Sequence, residues 1–269
     1  MSSFNRLSAL SPWVSSACWL GAGSLLIAAL VVGCVTSESP FRLDSSEMAQ
    51  RFLPYEREVP HHPDSLKYVR IVEKENALQI ETETSFRQMV EQWSSTFQSR
   101  SAGSSARRLP YQSYATLWSL DLSIASLQPE VGFSGLSKDL ARQRLNERRA
   151  AYDSLLQVDI YRYQGSPFVR RGDISETNLT GPGSRLALRD DRGNEYEPVQ
   201  EETTPPRDGF IQGRSVIYRR NTFFFDRVVD GKDILNNVGT LRLWVRESFG
   251  NDYYFRWSFE EIEGRSSTP

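Results

Sequence analysis

Few residues of this chain are of the types that carry out chemistry, and their spacing narrows what they can do. The only imidazoles are adjacent, in His61-His62-Pro63-Asp64. Two His beside a carboxylate are transition-metal ligands by type. Neighbouring side chains on an extended backbone point apart, however, and the chain has no third His, so neither a metal site nor a histidine-based nucleophilic triad is predicted. Glycoside hydrolysis needs two carboxyls about 5–10 Å apart across a cleft. Asp190, Asp191, Glu195, Asp226, Asp230 and Asp233 are available, but nearly all fall where turns are predicted, the ordinary place for solvated acids. Asp191-Arg192-Gly193-Asn194-Glu195 lacks the spacing of an EF-hand calcium loop. Arg171-Gly172-Asp173 matches an adhesion tripeptide and Asn178-Leu179-Thr180 a glycosylation sequon, both triplets that arise readily by chance in such a loop. The chain contains no P-loop, dinucleotide fingerprint or nucleophile elbow.

The best candidate site is a surface. Thr240–Glu247 and Tyr253–Glu260 alternate apolar and polar residues around Ser248–Asp252, which predicts a hairpin. Pairing Val245 with Phe255, Leu243 with Trp257 and Leu241 with Phe259 makes one face apolar on both strands. The other face then carries Arg242, Trp244 and Arg246 beside Tyr254, Arg256 and Ser258, with Trp244 across from Arg256 and Arg246 across from Tyr254. Trp, Tyr and Arg dominate interface hot spots, and Arg over an aromatic ring contributes about 0.5–1 kcal/mol when exposed. Arg242, Trp244, Arg246, Tyr254 and Arg256 are therefore the expected binding residues.

These strands belong to a mainly β (or α+β) chain. Leu66–Val72 reads as a strand. Phe86, Met89, Val90, Trp93 and Phe97 form a helical stripe that Thr84 or Ser85 can cap. Ser99–Arg108 reads as a flexible loop. From Leu117 to Leu127 the residues Leu120, Leu122 and Ile124 alternate with Ser119, Asp121 and Ser123 as in a strand. Ser137–Ala151 is a second, highly charged helix with Ala141, Leu145, Tyr152 and Leu155 toward the body, and Leu156–Tyr163 is a strand. A three-residue loop at Asp191-Arg192-Gly193 joins two more strands, with Gly193 in the left-handed position and Leu186 and Leu188 facing Pro198 and Tyr196. A further strand is expected near Ser215–Asp226, then a turn-rich connection over Val229–Val238. Many short strands without a βαβ rhythm predict an antiparallel, immunoglobulin-like β-sandwich with two accessory helices. The resemblance to immunoglobulin-like folds is one of architecture alone, since their Cys…Trp…Cys signature is absent.

The amino terminus speaks to location. Residues 1–33 carry one charge, Arg6, and Trp19–Val32 is almost wholly apolar or small, the layout of a secretory signal. The run ends Val31-Val32-Gly33-Cys34, which resembles the lipobox of bacterial lipoproteins. That resemblance implies cleavage before Cys34 and lipidation of Cys34, where two or more acyl chains anchor stably and one does not. Val35 in place of an inner-membrane-retaining Asp implies the outer membrane. The alternative is an uncleaved helix, since Trp13–Val35 is 23 residues long and long enough to span a bilayer. Cys18 lies inside the signal, so the mature chain is expected to hold no disulfide and no Cys-ligated metal.

The 269 residues carry 32 Lys+Arg and 34 Asp+Glu, a balance that argues against nucleic acid as partner. At 39% hydrophobic, the chain is not wholly disordered. The expected organisation is a signal peptide (1–33), a lipidated Cys and flexible tether (34–65), a strand plus amphipathic helix (66–112), a sandwich with a helical insert (113–263) and a disordered tail (264–269). The residues thus predict an extracytoplasmic, membrane-anchored, non-enzymatic binding or assembly module. It presents a sheet face to an envelope protein or a glycan and needs no cofactor beyond the lipid on Cys34. A carboxylate-based hydrolase of cell-wall glycans and a purely structural envelope component are the competing readings.

Overall fold

Period-two alternation dominates the chain, and the computed structural model shows it as strands. The structure describes residues 53–54, 56–59, 61–75, 77–99, 112–128, 133–165, 179, 183–211, 213–247 and 252–259. The chain is mainly β, with three α-helices among the described residues. It begins with strands β1 (Glu56–Val59), β2 (Val69–Glu73) and β3 (Leu78–Thr82), helix α1 (Phe86–Gln92), and strands β4 (Ser94–Thr96), β5 (Gln98–Ser99) and β6 (Gln112–Leu117). Helices α2 (Leu120–Ala125) and α3 (Lys138–Ser154) follow, then β7 (Leu155–Gly165), β8 (Arg185–Asp190), β9 (Glu195–Tyr196), β10 (Gln200–Thr203) and β11 (Arg207–Ile211). The chain continues with β12 (Arg214–Asp226), β13 (Val228–Val229), β14 (Lys232–Asp233), β15 (Thr240–Arg246) and β16 (Asp252–Phe259).

Two six-stranded sheets organise these elements. One runs β1-β16-β15-β8-β9, with β5 also on β16; the other runs β10-β12-β7-β6-β4, with β11 also on β12. All pairings within them are antiparallel except that of β1 with β16. Both sheets feed one buried cluster. Leu156, Val158 and Ile160 of β7 and Phe223 and Phe225 of β12 join Leu241, Leu243 and Val245 of β15 and Phe255 and Trp257 of β16. Fully burying each such side chain contributes about 1.5–3 kcal/mol.

The long helix α3 buries Ala141, Leu145 and Tyr152 as its pattern predicts, whereas Leu155, expected on the same face, is half-buried and begins β7. Helix α1 is capped by Ser85, whose side chain accepts from the Gln88 amide while the Gln88 side chain accepts from the Ser85 amide, a reciprocal capping box. Met89, Val90 and Trp93 are buried as expected.

Five expectations need correction. The helical stripe ends at Gln92, because Ser94–Thr96 pairs with β6 as β4; Phe97 therefore lies beyond the helix, its ring 5.2 Å from that of Tyr253. The alternation over Leu117–Leu127 is not a strand. Only Leu117 belongs to β6; Ser119 caps α2 by accepting from the Leu122 amide at 3.1 Å. Every residue from Asp121 to Leu127 is buried, so α2 has no solvent face to impose a helical period on its sequence. The described residues accordingly hold three helices rather than two. The tether expected over 34–65 does not extend through its described part, because β1 pairs with β16 and His61, His62 and Pro63 are buried.

The fifth correction concerns the final hairpin. Leu241 pairs with Trp257, Leu243 with Phe255 and Val245 with Tyr253, a two-residue slip from the expected register. Such a slip keeps every side chain on its face, so hydrophobic alternation cannot distinguish the two registers. The observed one places Arg246 opposite Asp252, which receives two hydrogen bonds from its guanidinium at 2.9 and 3.0 Å. The β8–β9 hairpin keeps its expected pairing of Leu188 with Tyr196, and Gly193 has φ 85°.

Candidate functional site

The apolar residues of β15 and β16 are drawn into the core, and their neighbours are left on the opposite face of the sheet. The burial of both strands alternates without a break, Leu241, Leu243 and Val245 against Arg242, Trp244 and Arg246 on β15 and Tyr253, Phe255 and Trp257 against Tyr254 and Arg256 on β16. All five expected binding residues share this outer face, but not with the expected neighbours. Trp244 lies opposite Tyr254 instead of Arg256, Arg246 opposite Asp252 instead of Tyr254, and Arg242 opposite Arg256.

Strand β8 extends the face on the other side of β15, pairing Arg189 with Arg242, Ala187 with Trp244 and Arg185 with Arg246. Two rows therefore cross the strands. One is Glu195–Arg189–Arg242–Arg256–Glu56, from β9 to β1. The next is Ala187–Trp244–Tyr254. The Trp244 and Tyr254 rings are 4.8 Å apart at 37°. Arg189 lies over Trp244, its guanidinium carbon 5.2 Å from the ring centre, while Arg256, the expected neighbour, stands opposite Arg242. Because Ala187 leaves space beside the indole, a hollow of about 80 Å³ opens there, walled by Arg185, Arg189, Glu195, Arg246 and Asp252.

Charge is distributed unevenly along the first row. Glu195 pairs with both Arg185 (2.9 Å) and Arg189. Arg256 lies 2.9 Å from Glu56, which also accepts from the Ser258 hydroxyl at 2.8 Å. The acids thus sit on the outer strands β9 and β1, while Arg242 in the middle has no ion pair among the described residues and faces an Arg on each side. Like charges directly opposite across strands are destabilising by some tenths of a kcal/mol, up to about 1 kcal/mol. Asp252 raises the affinity of the Arg246 guanidinium for its proton. Sequence reasoning missed Arg185, Arg189 and Glu56, and named Glu195 only as an acid for hydrolysis. Alternation in Arg185–Arg189 does place both Arg opposite Leu186 and Leu188, but nothing local indicates that β8 lies against β15. Glu56 falls in the segment read as tether.

Both histidines are buried. His61 stands edge-on to Tyr68 and Trp93, at 5.1 and 5.3 Å, with Nε2 3.2 Å from Asp121 Oδ2. His62 donates from Nε2 to the Leu235 carbonyl at 2.9 Å and accepts at Nδ1 from the Asp64 amide at 3.3 Å. Asp64 and Asp233 together grip Arg227, which is nearly buried, with contacts of 2.7–3.2 Å. Tyr152 donates to Asp64 at 2.8 Å and lies under the guanidinium at 5.1 Å. Burial opposes the charge on Arg227, but Asp233, Tyr152 and Asp64 more than offset it and raise its pKa. Burial, reinforced by Asp64, pushes the Tyr152 hydroxyl well above the ordinary tyrosine value. Among the described residues no group of three or more His, Cys, Asp or Glu is arranged to hold a metal ion.

The acids considered for hydrolysis are tied to turns and strands. Asp190 accepts from the Arg192 and Asn194 amides, the Asn194 side chain and the Tyr196 hydroxyl. Burial pushes its carboxyl up, but these hydrogen bonds and Arg192 prevail and hold it below the usual value. Asp191 accepts from the Gly239 amide at 2.7 Å, and a Cβ on Gly239 would meet the same oxygen at 3.1 Å. Asp230 has φ 53° in the turn between β13 and β14, and Asp226 is exposed at the end of β12. Cys34, the Arg171-Gly172-Asp173 triplet, Asn178 and Thr180, and the expected tail lie outside the described residues. Among the described residues no helix is long and apolar enough to cross a membrane. The chain matches no protein-family model, no curated protein and no solved structure.

Proposed function

We propose that this chain is a bacterial envelope lipoprotein, anchored through lipid on Cys34 in the outer membrane, whose β-domain is a non-enzymatic binding or assembly module. In this reading the two large sheets pack as an immunoglobulin-like sandwich, and the outer face of β8, β15 and β16 docks a partner outside the cytoplasm. One observation carries the binding role: a continuous Arg, Trp and Tyr face across three strands, whose central Arg242 has no ion pair among the described residues. Folding alone favours alternating signs at such positions, so the arrangement is accounted for by a ligand that supplies the missing negative charge. The Val31-Val32-Gly33-Cys34 sequence supports the anchor.

Two experiments test the two halves. Intact mass of the detergent-extracted protein should show loss of residues 1–33 and added acyl mass, and Cys34→Ala should leave membranes; unchanged maturation and partition of that variant would refute the anchor. Separately, Trp244→Ala combined with Arg256→Ala should abolish partner recovery from envelope extract while a cooperative melting transition is kept. Undiminished recovery would refute the docking face.

A further inference from the structure

We infer that the ligand of this face is a carboxylate-bearing sugar, a uronic acid unit of an acidic glycan, held between Arg242 and its neighbouring guanidiniums with its ring against Trp244. The inference rests on the docking role proposed above and specifies its ligand. Adjacent strands lie about 4.8 Å apart, so Arg189, Arg242 and Arg256 start from neighbouring positions on three strands, with the Arg189 guanidinium carried over Trp244. Guanidinium matches the two oxygens of a carboxylate in one plane. Glu195 and Glu56 already engage the two outer forks, so the central one is where an incoming anion gains most.

The second row explains why the anion is carried on a sugar. Beside Arg242 stands the Trp244–Tyr254 pair, a rigid amphipathic surface that costs little conformational entropy to present and suits the apolar C–H face of a pyranose ring. The adjoining hollow of about 80 Å³ is walled by the ion pairs Arg185–Glu195 and Arg246–Asp252, whose remaining N–H groups and carboxylate lone pairs ring the indole. A simple anion uses donors only. Sugar hydroxyls are donors and acceptors at once, and they use both.

The test is calorimetric titration of the full-length protein with oligogalacturonate, with uncharged maltotetraose and with tetraglutamate. Oligogalacturonate is expected to bind saturably, and at least about tenfold more tightly than either control. Arg242→Ala should weaken that binding about tenfold or more, because a charge-assisted pair is lost. Arg242→Lys, which keeps the charge and loses the fork, should fall between. Equal binding of tetraglutamate, unchanged affinity in both Arg242 variants, or no saturable binding of oligogalacturonate would each overturn the sugar assignment. If the last result came with partner recovery still lost in the Trp244/Arg256 double variant, the sugar would be wrong and the docking face would stand.

Discussion

Arg227 and Arg242 occupy the same fold under opposite electrostatic conditions. Arg227 is nearly buried, and two carboxylates, Asp64 and Asp233, engage it. Arg242 is half-buried at the centre of an outer sheet face, and its cross-strand neighbours are Arg189 and Arg256. A charge that leaves water for the sake of the fold must be paired, because unpaired burial costs several kcal/mol. A charge held beside its own sign serves no such purpose. The first site is explained by stability; the second is the one the proposed ligand would account for.

That contrast can be sharpened by substitution, beginning within one hairpin. Trp257 is fully buried and donates from its indole to the Trp93 carbonyl at 2.9 Å, whereas Trp244 is half-buried on the opposite face. Trp257→Ala should cost about 3–5 kcal/mol, and Trp244→Ala no more than about 1 kcal/mol, as read by urea midpoints. Comparable losses would mean that the outer face is as structural as the inner one. Arg227→Ala leaves Asp64 and Asp233 facing each other without a counter-charge and should cost about 2–3 kcal/mol. This is below the usual range for a buried pair, because both carboxylates remain 39% exposed.

Acid should erode the contributions of Asp190 and Asp233. Asp190 and Asp233 are both held below the ordinary value; in each, burial works the other way and is outweighed by hydrogen bonds, from Asn194 and Tyr196 for Asp190 and from Arg227 and the Leu235 amide for Asp233. A carboxyl lowered in the folded state stabilises fully above its unfolded value, about 3.9, and loses that contribution as pH falls through the folded value. Melting temperatures should therefore drop below about pH 4. Asp190→Asn should be less stable at neutral pH and should lose less between pH 5 and pH 2. An acid limb in the variant as steep as the parent's would remove Asp190 from the account.

The sequence made the inward and outward faces of β15 and β16 legible, because a period of two assigns faces regardless of partner. It did not fix the register, since a two-residue slip preserves both faces and the Arg246–Asp252 pair that selects one register is invisible to hydrophobic alternation. Helix α2 was misread because a fully buried helix carries no amphipathic signal, whereas α3, charged on one side, was readable. The proposed docking face was legible in part. Arg242, Trp244, Arg246, Tyr254 and Arg256 lie on one local pattern, but Arg189 and Glu56 reach the row only through pairings of β15 with β8 and of β16 with β1, which are remote in sequence. His61 and His62 looked like chemistry by residue type alone; their partners Asp121 and Leu235 are set by tertiary contacts.

The most direct test of the idea that Arg242 is kept against the preference of the fold is the urea unfolding midpoint of Arg242→Thr at low salt. Threonine suits a strand, and removing a guanidinium from between two others relieves two like-charge contacts. The midpoint should rise by the equivalent of about 0.5 kcal/mol with an unchanged m-value. A midpoint that falls would show that Arg242 stabilises the sheet and would contradict its assignment to a ligand.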